Sequence, residues 1–400
     1  MEKMEILKEL YPEDLYKYSC NLSLEEVLIL KQLREVIDKE VRPVINDYWE
    51  RGEFPFAEFK KIAEIGIMNH PDLFKNRENK YKPTELYNLF RYFELARLDA
   101  SIATFFTVHG GLCYNTILLG GSQKQIEYYA PKISSFEWQG CFALTEPEHG
   151  SDIAGGLSTS AQKNGDTWII NGEKRWIGGA ATADIIPVFA RDTSDNKIKC
   201  FMIPGNTEGI KVEKIEGKIA LREVQNGHIY LNNVKVSDEA RLENINGFKD
   251  VSRILRATRA DIAHLATGMI AGSLEAALSY VKDRDQFGKK VAAFQLVQEK
   301  LAIMQANLVA CLGYSVRLAE LQEKDEFIEE NSALAKMHNA LRLRETVALG
   351  REIVGGNGIT LETNVARFFA DAEAIYSYEG THEINALIVG RYLTGIGSFV

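Results

Sequence analysis

Apolar residues recur at spacings of three and four along much of this chain, and the places where the spacing changes divide it into three. Leu24, Val27, Leu28, Leu30, Leu33, Val36 and Ile37 fall largely on one helical face, and Arg42-Pro43 breaks the run because proline removes a backbone donor. Similar periodicity over 59–67, 86–96 and 102–119 predicts an amino-terminal helical domain, residues 1–137. From Trp138 the runs become short, rich in β-branched and aromatic residues, and cut by turn formers, which predicts a compact β domain over 138–246. Within it, 167–170 and 173–177 flank Asn171-Gly172, a dipeptide that suits the positive φ angles of a type I′ turn, so they read as a hairpin. The runs 185–190 and 198–203, separated by 192–197, read as a second. From Gly247 long helical patterns return, at 249–283, 294–323, 329–354 and after Thr381, and predict an antiparallel bundle over 247–400. The fold class is therefore α+β, mostly α, with no internal repeat.

Composition narrows what such a fold can do. A hydrophobic content of 46% over 400 residues is enough for large cores. The formal net charge of -9 argues against a surface made for polyanions, so nucleic acid is not an expected partner. Cys20, Cys113, Cys141, Cys200 and Cys311 are odd in number and scattered, which suits reduced thiols in a cytoplasmic protein. The histidines are equally dispersed, and no metal centre is expected. The first fourteen residues mix both charges without an apolar run, so no targeting signal or membrane span is expected there, and Ser398-Phe399-Val400 does not match a peroxisomal address.

Chemistry concentrates near the end. Glu379 stands among Ile375, Tyr376 and Tyr378 and is followed by Gly380, whose lack of a side chain lets a ligand approach the backbone. A carboxylate in apolar surroundings loses solvation, which raises its pKa towards the range of a general base. The same residues, with Thr381 before a helical run, also describe a plain capping arrangement. Further upstream, Cys141–Asp152 is a loop with Pro, Gly and two hydroxyls after an apolar strand, Asn171–Gly179 carries an indole at a strand end, Asp283–Gly288 puts an Arg at a helix end, and Glu352–Gly358 is glycine-rich after a helix. Each is compatible with a turn, a core aromatic, a solvated charge and a helix C-cap respectively.

Taken together, Tyr378-Glu379-Gly380-Thr381, Leu144-Thr145-Glu146-Pro147 leading to Gly150-Ser151-Asp152, Asn171-Gly172 leading to Trp176-Ile177, Arg284 to Gly288 with Gln295, and Gly355-Gly356-Asn357-Gly358 resemble the acyl-CoA dehydrogenase family over nearly the whole chain. The resemblance implies that family's fold, with a β-barrel-like middle domain and a carboxyl-terminal four-helix bundle, and an FAD cofactor. It implies that Phe142, Leu144, Thr145, Gly150, Ser151, Trp176, Ile177 and Gly178 line the flavin and its pyrophosphate. Arg284, Phe287 and Gln295 would reach the FAD of a neighbouring subunit in a homotetramer or dimer. Glu352, Gly355, Gly356, Thr381 and Glu383 would also contact FAD, and Ser151, Arg259, Tyr378 and Gly380 the acyl-CoA.

The implied reaction is α,β-dehydrogenation of a saturated acyl-CoA to the trans-2-enoyl product, a fatty acid degradation step. Glu379 would take the α-proton, flavin N5 would accept hydride, the Glu379 N–H and a flavin ribityl hydroxyl would form the oxyanion hole, and electrons would pass to an electron-transfer flavoprotein. Three departures from the family's pattern matter. Gly178 replaces a common Thr, which removes a hydroxyl and is expected to open space. Glu352 replaces a common Gln. Some branches place the base at the position matched by Thr258, where this chain has no acid, although Asp261 lies close by. The carboxyl-terminal run resembles the glutaryl-CoA dehydrogenase branch and the plant short-chain acyl-CoA oxidases, which pass electrons to oxygen. The arginine with which glutaryl enzymes bind the distal carboxylate is matched by Ala103, so an unsubstituted acyl chain is expected in preference to glutaryl. DNA-binding relatives of the fold need a basic groove, which this composition does not supply.

Overall fold

The computed structural model describes residues 2–397, so Met1 and the Ser398-Phe399-Val400 end read above lie outside it. In chain order it has helices α1 (Glu2–Leu10), α2 (Leu24–Val36), α3 (Ile45–Arg51), α4 (Phe56–Glu64), α5 (Glu85–Leu98), α6 (Ala100–Phe106), α7 (Tyr114–Gly120), α8 (Gln123–Ser134) and the single turn α9 (Ile153–Gly156). Strands β1 (Ser160–Asn164), β2 (Thr167–Ile177), β3 (Ile185–Asp192), β4 (Ile198–Pro204), β5 (Ile210–Lys214) and β6 (Gly227–Ser237) follow. Helices α10 (Phe248–Asp283), α11 (Gln295–Glu323), α12 (Glu329–Val354), α13 (Val365–Ser377) and α14 (His382–Thr394) complete the chain, with a tiny hairpin, β7 (Asp285–Gln286) and β8 (Lys289–Lys290), between α10 and α11. Local chemistry sets the boundaries: Ser23 and Glu26 form a reciprocal capping box on α2, and the Thr84 hydroxyl accepts from Tyr87 N at the start of α5.

The chain forms two compact units, Met1–Ala103 with Ile219–Glu223 and Arg259–Val400, and Thr104–Lys218 with Val224–Thr258. In the first, the bundle helices pack on the amino-terminal helix α5. Gly268 of α10 makes that approach possible, because an added Cβ would lie 2.5 Å from the Phe93 carbonyl oxygen. A buried polar knot ties the bundle: Asn339 Nδ2 lies within bonding distance of Ala263 O, Thr267 Oγ1, Cys311 O and Ser315 Oγ, which joins α10, α11 and α12. Helix α13 is an addition to the sequence reading. Its buried Val365, Phe368, Ala372 and Ile375 are spaced by three and four, a short helical face.

The second unit holds a six-stranded sheet in the order β4-β3-β1-β2-β6-β5, antiparallel except for β1 beside β3. Its core is Ala161, Trp168, Ile170, Val188, Phe201, Ile203, Ile229 and Val234 with their neighbours. The 185–190 and 198–203 hairpin is present as β3 and β4. The hairpin expected at Asn171-Gly172 is not: β2 runs straight through it, and the register against β6 slips between Ile170 and Gly172, which makes the dipeptide a β-bulge. Gly172 has φ +146°, and an added Cβ would sit 2.6 Å from Thr159 Oγ1, so close approach to the segment just before β1 is the reason for glycine there. The turn lies earlier, at Gly165-Asp166, where Asn164 pairs with Thr167.

The apolar stretch 100–120 is long and apolar enough to cross a membrane by composition, and so is α11, but 78% of the former's window is buried inside the protein. A π-helical turn at Thr107–Cys113 interrupts it between α6 and α7.

Candidate active site

In the first unit, α13 ends at Ser377 and α14 starts at His382, and the link between them carries Glu379. Thr381 caps α14 by accepting from Ile384 N at 3.2 Å, so the capping arrangement considered from sequence is present together with an unusual backbone. Glu379 has φ +54° and Gly380 φ +84°, two successive left-handed residues. For a glutamate this conformation is costly, and residues of that kind cluster at functional sites. Glu379 and Tyr378 are half-buried. The surroundings are not purely apolar, as the sequence suggested: the buried ammonium of Lys336 on α12 donates to Tyr376 O at 2.9 Å and Gly380 O at 2.8 Å and interacts electrostatically with Glu379. Arg259 lies beneath Gly380 and is committed to Glu329, with an Nη1 to Oε1 distance of 2.7 Å. Asp261 does not join this group. It faces α5, accepting from Tyr92 Oη and Asn88 Nδ2, and burial raises its carboxyl to about 7.

In the second unit, the loop after Cys141 is built onto β3: Ala143 N donates to Pro187 O and Phe189 N to Ala143 O. Phe142 and Leu144 are buried and Thr145 half-buried, while Gly150 and Ser151 are exposed. Two residues quoted in these motifs but given no role hold the loop: Glu146 and Lys174 form a buried ion pair at 2.8 Å. Glu146 also accepts from Ser158 N, Ser158 Oγ and Thr159 N, and Lys174 donates to Leu144 O. Burial opposes the charge on Glu146, but Lys174 and these donors outweigh it and bring the carboxyl down to about 2. Nearby, Arg175 N donates to Thr145 O, Trp176 sits at φ +64° and is 53% exposed, and Ile177 and Gly178 are buried. The space expected beside Gly178 is not open: an added Cβ would lie 3.1 Å from Val108 Cγ2 and 3.5 Å from Val224 Cγ1, so valine methyls fill it.

The remaining candidates lie in the first unit at its surface. Arg284 is exposed and leads into the β7–β8 hairpin, whose turn places Phe287 at φ +52° and 92% exposed, followed by Gly288 at φ +77°. Gln295 is the exposed first residue of α11. Glu352 is exposed and 3.3 Å from Lys300, and Gly355 at φ +69° closes α12 as a C-cap, with no atom within 4 Å of a Cβ added there or at Gly356. Glu383 is exposed in the first turn of α14, where a backbone N–H and Thr381 lower its carboxyl.

Residues 23–137, 141–234 and 246–394 match the N-terminal, middle and C-terminal domains of acyl-CoA dehydrogenase. The chain belongs to the acyl-CoA dehydrogenase family. An acyl-CoA dehydrogenase of Bacillus subtilis is 31% identical over 379 residues, covering 94% of this chain and 99% of that protein. The mitochondrial short-chain specific acyl-CoA dehydrogenase of Mus musculus is 30% identical over 94% of this chain and 91% of its own length. Among solved structures, a glutaryl-CoA dehydrogenase from Mycobacterium smegmatis has a TM-score of 0.87 at 33% identity, with 96% of this chain and 97% of that one covered. Another from the same organism, in complex with FADH2, has a TM-score of 0.89 at 29% identity, with 97% and 99% covered.

Family membership makes the protein an oxidoreductase and an FAD flavoprotein, and the residues present fit that cofactor. Trp176 is held in a strained left-handed conformation that keeps a flat, half-exposed indole beside buried Ile177. At Gly150 nothing stands within 4 Å of an added Cβ, which leaves the backbone approachable by a phosphate.

Proposed function

We propose that this protein oxidises a saturated acyl-CoA to its trans-2-enoyl-CoA, with Glu379 as the base. The observation that carries the proposal is the pair of left-handed residues at 379 and 380, a strained turn between two helices that presents one carboxylate. In its ionised form Glu379 takes the proton α to the thioester. The backbone N–H of Glu379 donates to the thioester carbonyl as negative charge develops there, worth roughly 3 kcal/mol of barrier for such a donor. Ile375 is buried and Tyr376 and Tyr378 half-buried around the turn, which limits water near the base. Phe142, Leu144, Thr145, Trp176 and Ile177 would hold the FAD ring, and Gly150 and Ser151 its pyrophosphate. FAD, when bound, supplies the acceptor for the two electrons removed at the β-carbon.

The substrate is an unsubstituted acyl chain. Ala103, matched to the arginine of glutaryl enzymes, is fully buried and offers no charge for a second carboxylate. The second reading is glutaryl-CoA, favoured by the likeness to the glutaryl-CoA dehydrogenase structures. Bleaching of bound flavin under anaerobic conditions by butyryl-, palmitoyl- and glutaryl-CoA tests the choice. Reduction by the first two and not by glutaryl-CoA supports the proposal, and the reverse order refutes it. An electron-transfer flavoprotein is the proposed acceptor, with oxygen as the oxidase alternative: fast peroxide release in air would favour the oxidase. The exposed Phe287 and Leu296, with Tyr392, Leu393 and Ile396 further along the chain, support a homo-oligomer, a dimer or tetramer.

A further inference from the structure

Lys336 is one of the largest fully buried side chains of the protein, at 1% exposure on α12. A buried ammonium has three donors to satisfy and a charge to balance. Here two of the acceptors are the carbonyls of Tyr376 at 2.9 Å and Gly380 at 2.8 Å, one on each side of Glu379. The Gly380 carbonyl also accepts from Asn385 Nδ2 at 2.9 Å, and the same amide donates to Thr381 O, so α12 and α14 grip the turn together. Two consecutive left-handed residues persist only where their surroundings over-determine them.

We propose that Lys336 is the positioning residue of the base: its ammonium clamps both ends of the turn and sets the conformation in which Glu379 is presented. This rests on the reading of Glu379 as the base. The charge has a second consequence. The groups facing Lys336 are Glu379 and Glu383, which favour the ammonium, and Arg259 of α10, which opposes it and is itself held by Glu329 of α12, with Arg391 of α14 3.7 Å from the same carboxylate. On the α13 side, His382 stacks on the Tyr376 ring and Arg344 covers that ring while paired to Glu373. Burial lowers Lys336 to about 8, so it is still largely charged at neutral pH. By reciprocity the ammonium favours the ionised carboxylate of Glu379, the form that can accept a proton.

The test compares Lys336→Met, Lys336→Gln and Glu379→Gln as FAD-loaded enzymes. Methionine keeps an unbranched stem without donors, and glutamine keeps donors without the charge. For Lys336→Met we expect kcat with butyryl-CoA to fall at least tenfold. FAD content and the Kd for the unreactive thioether S-butyl-CoA should change less than threefold. The acidic limb of the kcat/KM pH profile should move to higher pH, because the base has lost a neighbouring positive charge. Lys336→Gln should recover part of kcat while keeping the shifted limb, and it carries the test alone if the methionine variant does not fold. Wild-type kcat with an unshifted limb in either variant overturns the proposal, and so does a loss of FAD and thioether binding in parallel with kcat. Glu379→Gln separates the two claims: if it keeps turnover the base assignment itself fails, whereas if it is inactive and the Lys336 variants are normal only the clamp fails.

Discussion

Replacing Lys174 by methionine removes the ammonium that sits between Glu146 and the Leu144 carbonyl in the second unit. Both side chains of the pair are at most 2% exposed, so solvent screening does not soften the loss. Breaking a buried pair by deleting one partner typically costs about 3–5 kcal/mol, because the remaining charge is left without its counterion. Glu146 would keep three donors, from Ser158 N, Ser158 Oγ and Thr159 N, which places the expected loss near the lower end, about 3 kcal/mol. For a unit of about 150 residues this corresponds to a Tm lower by roughly 6–12 °C. Urea unfolding followed by tryptophan fluorescence and by FAD release measures it. The double variant Glu146→Gln with Lys174→Met should recover much of the loss, since it removes the stranded charge. The pH dependence has a definite sign. Glu146 is held at about 2 in the folded protein, below its ordinary 4.5, so its contribution is complete above about 4.5 and disappears as pH falls towards 2. Without Lys174 the folded value moves back up towards 4.5, so the acid-induced loss that Glu146 contributes should shrink. A Lys174→Met enzyme within about 0.5 kcal/mol of the parent, with normal FAD retention, would refute the claim that this pair holds the loop.

Other consequences are open to simpler measurements. Glu379→Gln should keep its yellow cofactor and lose most turnover with every acyl-CoA, and unchanged turnover in a ferricenium-coupled assay would remove Glu379 from its role. Gly172→Ala forces a Cβ to within 2.7 Å of the Thr159 backbone at a φ of +146°, so a loss of about 2–4 kcal/mol is expected in urea unfolding. Asp371 is raised to about 7, first by burial and then by the charge of Asp99, although Trp49 Nε1 and Leu221 N donate to it. Because its folded value exceeds the ordinary 3.8, its contribution is complete below about 3.8 and is lost as pH rises through 7. Asp371→Asn should therefore flatten the stability profile between pH 4 and 7, and a variant whose profile keeps the parent's slope would count against this account.

The bundle helices were legible because buried faces repeat every three or four residues whatever they pack against. The predicted 329–354 helix agrees with α12 at both ends, and those predicted at 249–283 and 294–323 differ from α10 and α11 by one residue at their starts. The middle sheet was legible as β structure and not as topology. Asn-Gly is a strong turn signal, yet at 171–172 the strand continues, since pairing with β1 and β6 on either side outweighs the local preference. A left-handed turn of the kind expected there occurs at Phe287-Gly288, where an exposed phenylalanine gave no hint of it.

At the candidate site the motifs pointed to Glu379, Trp176 and the Cys141–Asp152 loop, because their residue types are unusual in order and company. The residues that hold them in place were not visible as such. Lys336 is 43 positions before Glu379, and Glu146 is 28 before Lys174. A lysine in an amphipathic helix reads as a solvated charge, and nothing in its neighbours says that two carbonyls from another helix end will surround it. The linear order of residues thus determined most of the helices, the β character of the middle region and the family the chain belongs to, and it singled out Glu379 as the proposed base. Folding decided which distant charges are buried together and what conformation they impose, because desolvation and ion pairing act through space over a few ångströms and carry no fixed signature in sequence separation.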